Sequence, residues 1–385
     1  MEKIRLGDAF SFIRNGANIK QGLDDSGYPI TRIETISDRT VNREKMGYAG
    51  ITDVGKYDDY ILQDGDILMS HINSEKHLGK TAIYKKQKDE KIIHGMNLLC
   101  LRPDNSQILP EYAFYFLSSN DFLRQIPNIT KKSVNQASFT VTALKKLSFA
   151  KRGIDEQKKI VCELDKVTDL IDKRKQQLEK FDELVKARFV ELFIGKGYST
   201  RTVNEVSLGK GEYGAQSASA EYDPARPRYV RITDINDDGT LNDDVVASIN
   251  PADDEQYKLE YGDFMFARMG ATVGKTYAFI EGNQIFAGYL IRYRLNQELI
   301  NPRYLFWYTR LDEYWNWVKL NQSGAAQPGI NAKKYGSLQI PLPPIKEQNA
   351  FSAFVKQTDK SKLEVQKSLE KLEVLKKALM QKYFG

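Results

Sequence analysis

The chain has 385 residues, of which 41% are apolar and 28% charged, with a formal net charge of +6. This length suggests two or three domains, and no run approaches the roughly 18 uncharged apolar residues of a membrane span, so we expect a soluble protein without membrane contact. Only Cys100 and Cys162 occur, which excludes a disulfide framework, and the N-terminus lacks the apolar core of a secretory signal, so we expect a cytoplasmic protein.

In chain order, four segments are predicted. Residues 1–150 contain short apolar runs broken by Gly, Asp and Asn turns, which indicates an α+β domain, and Pro110 marks the start of a helix within it. Residues 151–195 form a long charged helix, and no Gly or Pro interrupts residues 154–194. Residues 196–345 repeat the α+β plan, with a helix starting at Pro302, and residues 346–385 form a second long helix.

The two halves share landmarks in one order, which indicates an internal duplication. The offset between copies falls from 199 at the first pair to 191 at the last two, as expected if loops of the second copy have lost residues. The paired landmarks are Thr31–Ile36 with Val230–Ile235, Gly65–Leu68 with Gly262–Met265, Gly79–Thr81 with Gly274–Thr276, Gln136–Thr140 with Gln327–Asn331, and Glu156-Gln157 with Glu347-Gln348.

Both long helices show a heptad pattern with alternating steps of four and three, which predicts a coiled-coil seam. Two seam positions of the first helix hold Arg174 and Arg188 instead of apolar residues, and the register of the second helix is weaker. One narrow stripe cannot stabilise a helix of this length alone, so the helices are expected to pack on each other; two separate helices, each on its own domain, are the alternative. The predicted seam comprises Ile160, Leu164, Val167, Ile171, Leu178, Phe181, Val185 and Leu192 with Phe351, Val355, Val365, Leu369, Leu372 and Leu379.

The repeated series of a Gln motif, a Glu-Gln pair and a long helix resembles the specificity subunits of type I restriction-modification enzymes over essentially the whole chain. The first copy departs from the second at Phe149–Gly153, where the second has the Pro-rich Ile340–Pro344. The resemblance implies two pseudo-symmetric α+β target-recognition domains separated by two long helices forming an antiparallel coiled coil. Each domain would read one half of a bipartite site in double-stranded DNA, and the helices would set the spacer.

The resemblance also implies partners. Two methyltransferase subunits would dock on the helices, and restriction subunits would then join. The chain itself would be non-catalytic and need no cofactor, because S-adenosylmethionine, ATP and Mg would be bound by partner subunits. Two other functions stay open at this stage, a coiled-coil adaptor that binds proteins without reading DNA and a standalone DNA-modifying enzyme.

Catalytic and metal motifs are near misses. Asn301-Pro302-Arg303-Tyr304 lacks the second Pro of an amino-methyltransferase tetrapeptide and is read as a helix start. Gly270–Thr276 has one residue too few for a phosphate-binding loop and is read, with Gly79–Thr81, as a packed β-turn. His71, His77, His94 and Cys100 lack the spacing of a zinc site, and the second copy has no counterpart, so no metal is expected.

Residues 196–345 carry 16 Lys and Arg against 18 Asp and Glu, so DNA binding there would require a local basic face. Two unrelated half-sites require different base-contacting side chains at equivalent places of the two copies. This requirement points to the segments 71–77 and 131–135 and to their counterparts 268–272 and 321–326. The equivalent pairs Arg32 with Arg231 and Lys80 with Lys275 suit phosphate better than bases, or are structural ion-pair members. The candidate DNA-binding residues are Arg32, His71, Asn73, Ser74, Lys80, Lys131, Lys132, Asn135, Arg231, Arg268, Thr272, Lys275, Gln322 and Ser323.

Overall fold

The computed structural model describes residues 2–19, 26–36, 40–133, 136–249, 255–324 and 328–385. The chain divides into two compact units. Unit 1 is Met1–Lys175 with Lys367–Gly385, and unit 2 is Gln176–Gln366. Each unit therefore contains one mixed domain and one segment of each long helix.

The domain of unit 1 is built on a four-stranded antiparallel sheet in the order β2-β8-β5-β7. In addition, β1 pairs with β11, β3 pairs with β4, and β6-β10-β9 form a small three-stranded group. The buried β5 and β8 run against each other with Ile67 opposite Leu101. The strands are β1 (Glu2–Arg5), β2 (Phe10–Asn15), β3 (Pro29–Ile30), β4 (Gly47–Tyr48), β5 (Ile67–Ser70), β6 (Ile72–Asn73), β7 (Thr81–Ile83), β8 (Leu98–Pro103), β9 (Lys131–Lys132), β10 (Ala137–Ser138) and β11 (Ser148–Lys151), and the helices are α1 (Pro110–Leu117), α2 (Asn120–Leu123), α3 (Val141–Leu144) and α4 (Ile154–Phe193).

The domain of unit 2 repeats this plan. Its sheet has the order β13-β18-β15-β16, β12 pairs with β19, and β14 pairs in parallel with β17. The strands are β12 (Thr200–Thr202), β13 (Glu212–Tyr213), β14 (Arg228–Val230), β15 (Asp263–Ala267), β16 (Thr276–Ala278), β17 (Gln284–Phe286), β18 (Leu290–Arg294) and β19 (Gln339–Pro341), and the helices are α5 (Pro302–Tyr308), α6 (Asp312–Asn321), α7 (Ala332–Gly336) and α8 (Ile345–Phe384).

The helix starts and turns predicted from the landmarks are present. Pro110 and Pro302 open α1 and α5, and the side chain of Asn301 accepts a hydrogen bond from the backbone N–H of Arg303, which caps α5. Gly79 and Gly274 adopt positive φ of 74° and 91° in the turns that join β5 to β7 and β15 to β16. The left-handed region favours glycine, which explains why both copies have it there.

The junctions before the long helices have the same structure despite their different sequences. In unit 1, β11 pairs with β1, and Phe149 lies opposite Ile4. In unit 2, β19 pairs with β12, and Ile340 lies opposite Arg201. Pro341 ends a two-stranded pair, where a missing backbone N–H is tolerated. The departure at Phe149–Gly153 therefore changes the sequence of the junction and preserves its pairing.

The segments of α4 and α8 within each unit pack together and run antiparallel. In unit 1, Glu163 accepts a hydrogen bond from the Tyr383 hydroxyl, while Lys175 lies 3.9 Å from Glu373. In unit 2, Lys362 lies 2.7 Å from Asp182. Residue numbers rise along α4 as they fall along α8. The packing of the two helices on each other, predicted from the heptads, is confirmed, as is the antiparallel direction implied by the resemblance, and the alternative of separate helices is wrong.

Most of the predicted seam is buried. Ile160, Leu164, Val167, Ile171, Val185, Phe351, Val355, Val365 and Leu369 are buried, whereas Leu178, Phe181, Leu192, Leu372 and Leu379 are half-buried. Towards the end of α4, the buried positions follow a step of four from Val185 to Phe189 and Phe193. These two phenylalanines contact Tyr304 and Phe351 of unit 2.

The end of α8 occupies the equivalent position in unit 1. Phe384 is buried against Tyr112 and Phe116 of α1, with ring centroids 5.4 and 6.0 Å apart. It lies 191 residues after Phe193, the same offset as the Glu-Gln landmarks. In each unit, the last turn of a long helix thus fills the core beneath the domain's own α-helix.

The Gln of each Glu-Gln landmark joins a long helix to its domain. The Gln157 amide oxygen accepts from the Leu109 N–H at 2.8 Å, and its nitrogen donates to the Gln107 and Arg152 carbonyls, each at 2.8 Å. Gln348 makes the equivalent three hydrogen bonds. Its amide oxygen accepts from the Asn301 N–H at 2.9 Å, and its nitrogen donates to the Leu299 and Pro343 carbonyls at 3.1 and 2.7 Å. Both side chains are fully buried, so these bonds fix where each helix begins relative to α1 or α5.

Candidate nucleic-acid interface

Two of the segments that differ between copies lie side by side in unit 1. The strand β10 pairs with β6 on one side and β9 on the other, so that Ala137 faces both Asn73 and Lys132. We call this three-stranded group the ribbon. It brings the segment after β5 next to the segment before the Gln motif, which are over fifty residues apart in sequence.

Unit 2 contains the same ribbon in reduced form. Gly329 bridges to Met269 on one side and to Ser323 on the other, and the bond from Ser323 N–H to the Gly329 carbonyl is 3.0 Å. The backbone joint is also shared, because Phe139 N–H donates to the His71 carbonyl at 3.1 Å and Ile330 N–H to the Arg268 carbonyl at 3.0 Å. The equivalent segments therefore meet in both units.

The candidate residues of the unit 1 ribbon are mostly exposed. Lys131 and Lys132 are exposed on β9, and Lys132 lies 2.9 Å from Glu75. The half-buried Asn73 accepts from the Ser74 N–H at 2.7 Å, and Ser74 is exposed. Asn135 lies outside the described residues.

His71 lies below this surface. Its side chain is 6% exposed, its ring is in edge contact with Phe139, and its Nδ1 has no hydrogen-bond partner among the described residues. Burial lowers the pKa of His71 to about 4, so the ring is neutral at pH 7. A neutral, buried ring cannot supply a positive charge to DNA in this conformation.

Arg268 occupies the equivalent place in unit 2, is half-buried and lies over the rings of two exposed tyrosines. Its guanidinium carbon lies 5.0 Å from the ring centroid of Tyr213 and 5.6 Å from that of Tyr289. Its Nε donates to the Gly288 carbonyl at 3.1 Å, and its Nη1 and Nη2 bond to none of the described residues. Within the described part of the chain, both terminal donors are therefore without an acceptor.

The other unit 2 candidates divide into exposed and internally bonded residues. Gln322 and Ser323 are exposed at the ribbon, whereas the Thr272 hydroxyl donates to the Met269 carbonyl at 3.1 Å. Lys275 is bonded to the Ile235 carbonyl at 3.1 Å and lies 2.8 Å from Asp237.

The equivalent arginines stand at a conserved turn of the two copies. Arg231 lies 2.8 Å from the buried Asp234 and donates to the Val245 carbonyl at 2.6 Å, which is the geometry of a structural ion pair. In unit 1, Thr35 replaces that carboxylate and accepts from the Arg32 N–H at 2.8 Å, while the Arg32 side chain lies against Gly47. Lys80 is half-buried in the turn before β7.

Tyr213 and Tyr289 were not among the candidates from the sequence. A signal for Tyr213 was available, because Asn15-Gly16-Ala17 and Tyr213-Gly214-Ala215 are a further pair of matching segments at an offset of 198. Tyr289 follows no motif, and its proximity to Arg268 depends on the pairing of β15 with β18.

Two further properties bear on chemistry. Among the described residues, no group of three or more His, Cys, Asp or Glu side chains is placed to hold a metal ion. None of the helices in the described ranges is both long enough and apolar enough to cross a membrane.

The fold and the duplicated ribbon define a protein of two equivalent α+β domains, each joined to an antiparallel helix pair. A family model described as the type I restriction modification DNA specificity domain matches the chain twice, over residues 1–180 and 197–376. The chain belongs to this family, in which DNA target recognition is the established role. The matches give no support to an adaptor that does not read DNA.

Individual relatives agree with this assignment. The chain is 32% identical, over 97% of its length and 90% of the relative's, to the putative type I restriction enzyme MjaX specificity subunit of Methanocaldococcus jannaschii. Its fold is similar to that of the type I restriction-modification S subunit from M. genitalium, with a TM-score of 0.59 at 15% identity, covering 100% of this chain and 96% of that one. A structure described under complex assembly and conformational transition of the type I R-M system gives a TM-score of 0.57 at 16% identity, covering 100% of this chain and 97% of that one.

Proposed function

We propose that the ribbon of each unit enters a groove of double-stranded DNA and reads one half of a bipartite site. The observation that carries this proposal is that both units place the same two variable segments side by side while filling them with different side chains. A shared backbone with different polar groups is what two unrelated half-sites require, because base edges in the major groove are distinguished by their donors and acceptors.

Phosphate contacts supply the affinity in this proposal. Lys131 is exposed on the unit 1 ribbon, and Lys275 of unit 2 is held by Asp237, whose carboxylate is itself exposed. A phosphate approaching Lys275 would compete with that surface ion pair, which is worth little in water. We therefore expect a strong decrease of binding with salt, and a modest contribution from each lysine.

The helix pair is proposed as the docking surface for two methyltransferase subunits, with restriction subunits joining afterwards. Apolar side chains that the helices leave exposed support this role, among them Leu184 and Leu363 in unit 2 and Val374 in unit 1. In this proposal the chain is non-catalytic and acts in the cytoplasm, and the partner subunits bind S-adenosylmethionine, ATP and Mg.

Selection from a library of random DNA duplexes tests the proposal. The full chain, alone and with its methyltransferase subunits, is expected to enrich one bipartite motif. Enrichment of no motif by either preparation, together with a stable complex with the methyltransferases, would establish the non-reading adaptor. Methyl transfer by the chain alone would contradict the non-catalytic assignment.

A further inference from the structure

Three positions converge at one end of the sheet in each unit, and they are equivalent by strand register. In unit 1, Asn15 lies opposite Leu99 at the end of β2, and in unit 2, Tyr213 lies opposite Ile291 at the end of β13. The pairing also places Leu98 opposite Ser70 in unit 1 and Leu290 opposite Ala267 in unit 2. The residue just before β8 is therefore equivalent to the residue just before β18, and the residue just after β5 to the residue just after β15. We call each set the corner: Asn15, His71 and Asn97 in unit 1, and Tyr213, Arg268 and Tyr289 in unit 2.

A close backbone approach at the corner is shared by both units. A Cβ atom on Gly16 would lie 2.2 Å from the Gly95 carbonyl oxygen, and one on Gly214 would lie 2.4 Å from that of Ala287. Only glycine permits this close approach, which holds the end of β2 or β13 against the turn before β8 or β18. The corner is also continuous with the ribbon, because β6 begins directly after His71.

The side chains of the corner differ completely between the units. In unit 1, these positions hold Asn15 and Asn97, which are exposed, and His71, which is buried. Unit 2 presents Tyr213 and Tyr289, 43% and 54% exposed, with the guanidinium of Arg268 close to both rings. Equivalent strand positions that carry different exposed donors and acceptors are the pattern expected of residues that set specificity. Both corners show this pattern.

Arg268 in unit 2 is held before any ligand arrives. Its N–H donates to the Tyr289 carbonyl at 3.0 Å, its carbonyl accepts from Ile330, and its Nε donates to the Gly288 carbonyl at 3.1 Å. The two tyrosine rings restrict the guanidinium plane, and the Tyr213 hydroxyl is itself fixed by the Ala332 N–H at 3.2 Å. The two terminal nitrogens form a fork that matches paired acceptors on one base.

We propose that the corners are base-reading elements, and that Arg268, positioned by Tyr213 and Tyr289, reads a guanine in the half-site of unit 2. Guanine presents N7 and O6 as paired acceptors in the major groove, and a bidentate arginine is their commonest partner. In unit 1, the Asn15 and Asn97 amides take the equivalent role, and an amide pairs best with adenine N6 and N7. This inference rests on the proposed DNA-reading function.

The test uses the full chain and the duplex motif selected by it. The half that changes when residues 196–345 are exchanged is the unit 2 half. Wild-type protein should lose about five- to 150-fold in affinity when one G·C pair of that half is replaced. Arg268→Ala should remove this preference at that pair alone, and 7-deazaguanine there should weaken the wild type without weakening Arg268→Ala further.

Matched variants separate positioning from folding. Tyr289→Leu should reduce the preference for that G·C pair, whereas Tyr289→Phe, which keeps the ring, should retain it. Asn97→Ala should change only the unit 1 half. A unit 2 half without guanine, or an Arg268→Ala variant that loses affinity equally on every duplex, would overturn the inference. Failure of the wild-type protein to select any motif would instead contradict the proposed function.

Discussion

Gln157 and Gln348 direct all three of their hydrogen bonds to backbone groups in the interior of their units. Each amide joins the start of a long helix to the loop before α1 or α5. The Glu-Gln landmark was visible in the sequence as a repeat, but its role was not, because a Gln at a helix start is usually exposed to solvent. Because each side chain is buried and fully hydrogen-bonded, it fixes the start of its long helix to the domain.

We expect Gln157→Leu to lower the free energy of unfolding of unit 1 by about 2 to 4 kcal/mol, because it leaves one backbone N–H and two carbonyls without partners. Chemical denaturation of the full chain measures this. Gln176→Leu, at an exposed position of the same helix, is the control and should change stability by less than about 0.5 kcal/mol. Similar losses for the two variants would show that the Gln157 hydrogen bonds are not important.

The histidines predict a pH dependence that belongs to unit 1, since all three histidines lie there. Burial is the main reason that the pKa values of His71 and His94 are lowered to about 4, and the Nδ1 atoms of both have no partner among the described residues. Both rings are neutral in the folded state, whereas an unfolded histidine gains a proton near pH 6.5. The stability of unit 1 should therefore be fully present above pH 6.5 and decrease as the pH falls towards 4.

His94→Gln tests this expectation, because the Gln amide can still donate to the Leu98 carbonyl that His94 Nε2 contacts at 2.9 Å. The slope of unfolding free energy against pH between 6.5 and 4.5 should be smaller in the variant, by an amount on the order of 1 to 2 kcal/mol across the window. Hydrogen exchange of the unit 2 amides, which have no histidine neighbour in their own unit, gives the reference. An unchanged slope would exclude His94 as the source.

At the scale of elements, the ends of α4 and α8 show where sequence periodicity stops being informative. Heptad spacing describes a helix packed on one other helix. Up to Val185, most positions of the predicted seam in α4 are buried, whereas Leu178 and Phe181 are half-buried. Beyond that point α4 also packs on the domain of unit 2, so its buried positions follow the step of four that an α-helix presents to a broader surface. Phe189 and Phe193 are therefore buried, whereas Arg188, three residues after Val185, is exposed.

We expect Phe384→Ala to destabilise unit 1 by about 3 to 5 kcal/mol, since the ring fills a core formed with Tyr112 and Phe116. Phe193→Ala is the matched variant and should destabilise unit 2 by a similar amount. Hydrogen exchange resolves the two effects, with the amides of β5 and β8 reporting on unit 1 and those of β15 and β18 on unit 2. Loss of protection in the opposite unit from each substitution would contradict the assignment of the two helix ends.

The ribbon and the corner differ in how far they could be predicted. The two variable segments of each copy were identified by comparing equivalent positions, because the duplication supplies an internal alignment. Their contact with each other depends on long-range pairing through Ala137 or Gly329, which leaves no local pattern in the sequence. Strand register, which is set by the fold of the whole domain, also brings Tyr289 to Arg268.

At the scale of the whole molecule, the duplication separates framework from specificity. Residues that hold the structure recur with the same contacts in both units, as Gln157 and Gln348 or Phe193 and Phe384 do. Residues on the ribbon and the corner recur only in position. A chain built in this way can change one recognition surface without altering the packing of the other, because the core of each domain is closed within its own unit.

Exchange of residues 196–345 for the corresponding domain of another specificity subunit should therefore change one half of the recognised motif and leave the other half intact. The boundaries fall between Phe193 and β12 and directly at the start of α8, so both helices keep their buried seam and the Gln348 joint stays with the host chain. The bonds of Gln348 to Asn301 and Leu299 require only backbone groups from the incoming domain.

Sequencing of methylated bases in cells that carry the hybrid with its methyltransferase measures both halves at once. Because the corner of unit 1 is untouched, its half-site serves as the internal control, and a change in both halves would show that the domains do not read DNA independently.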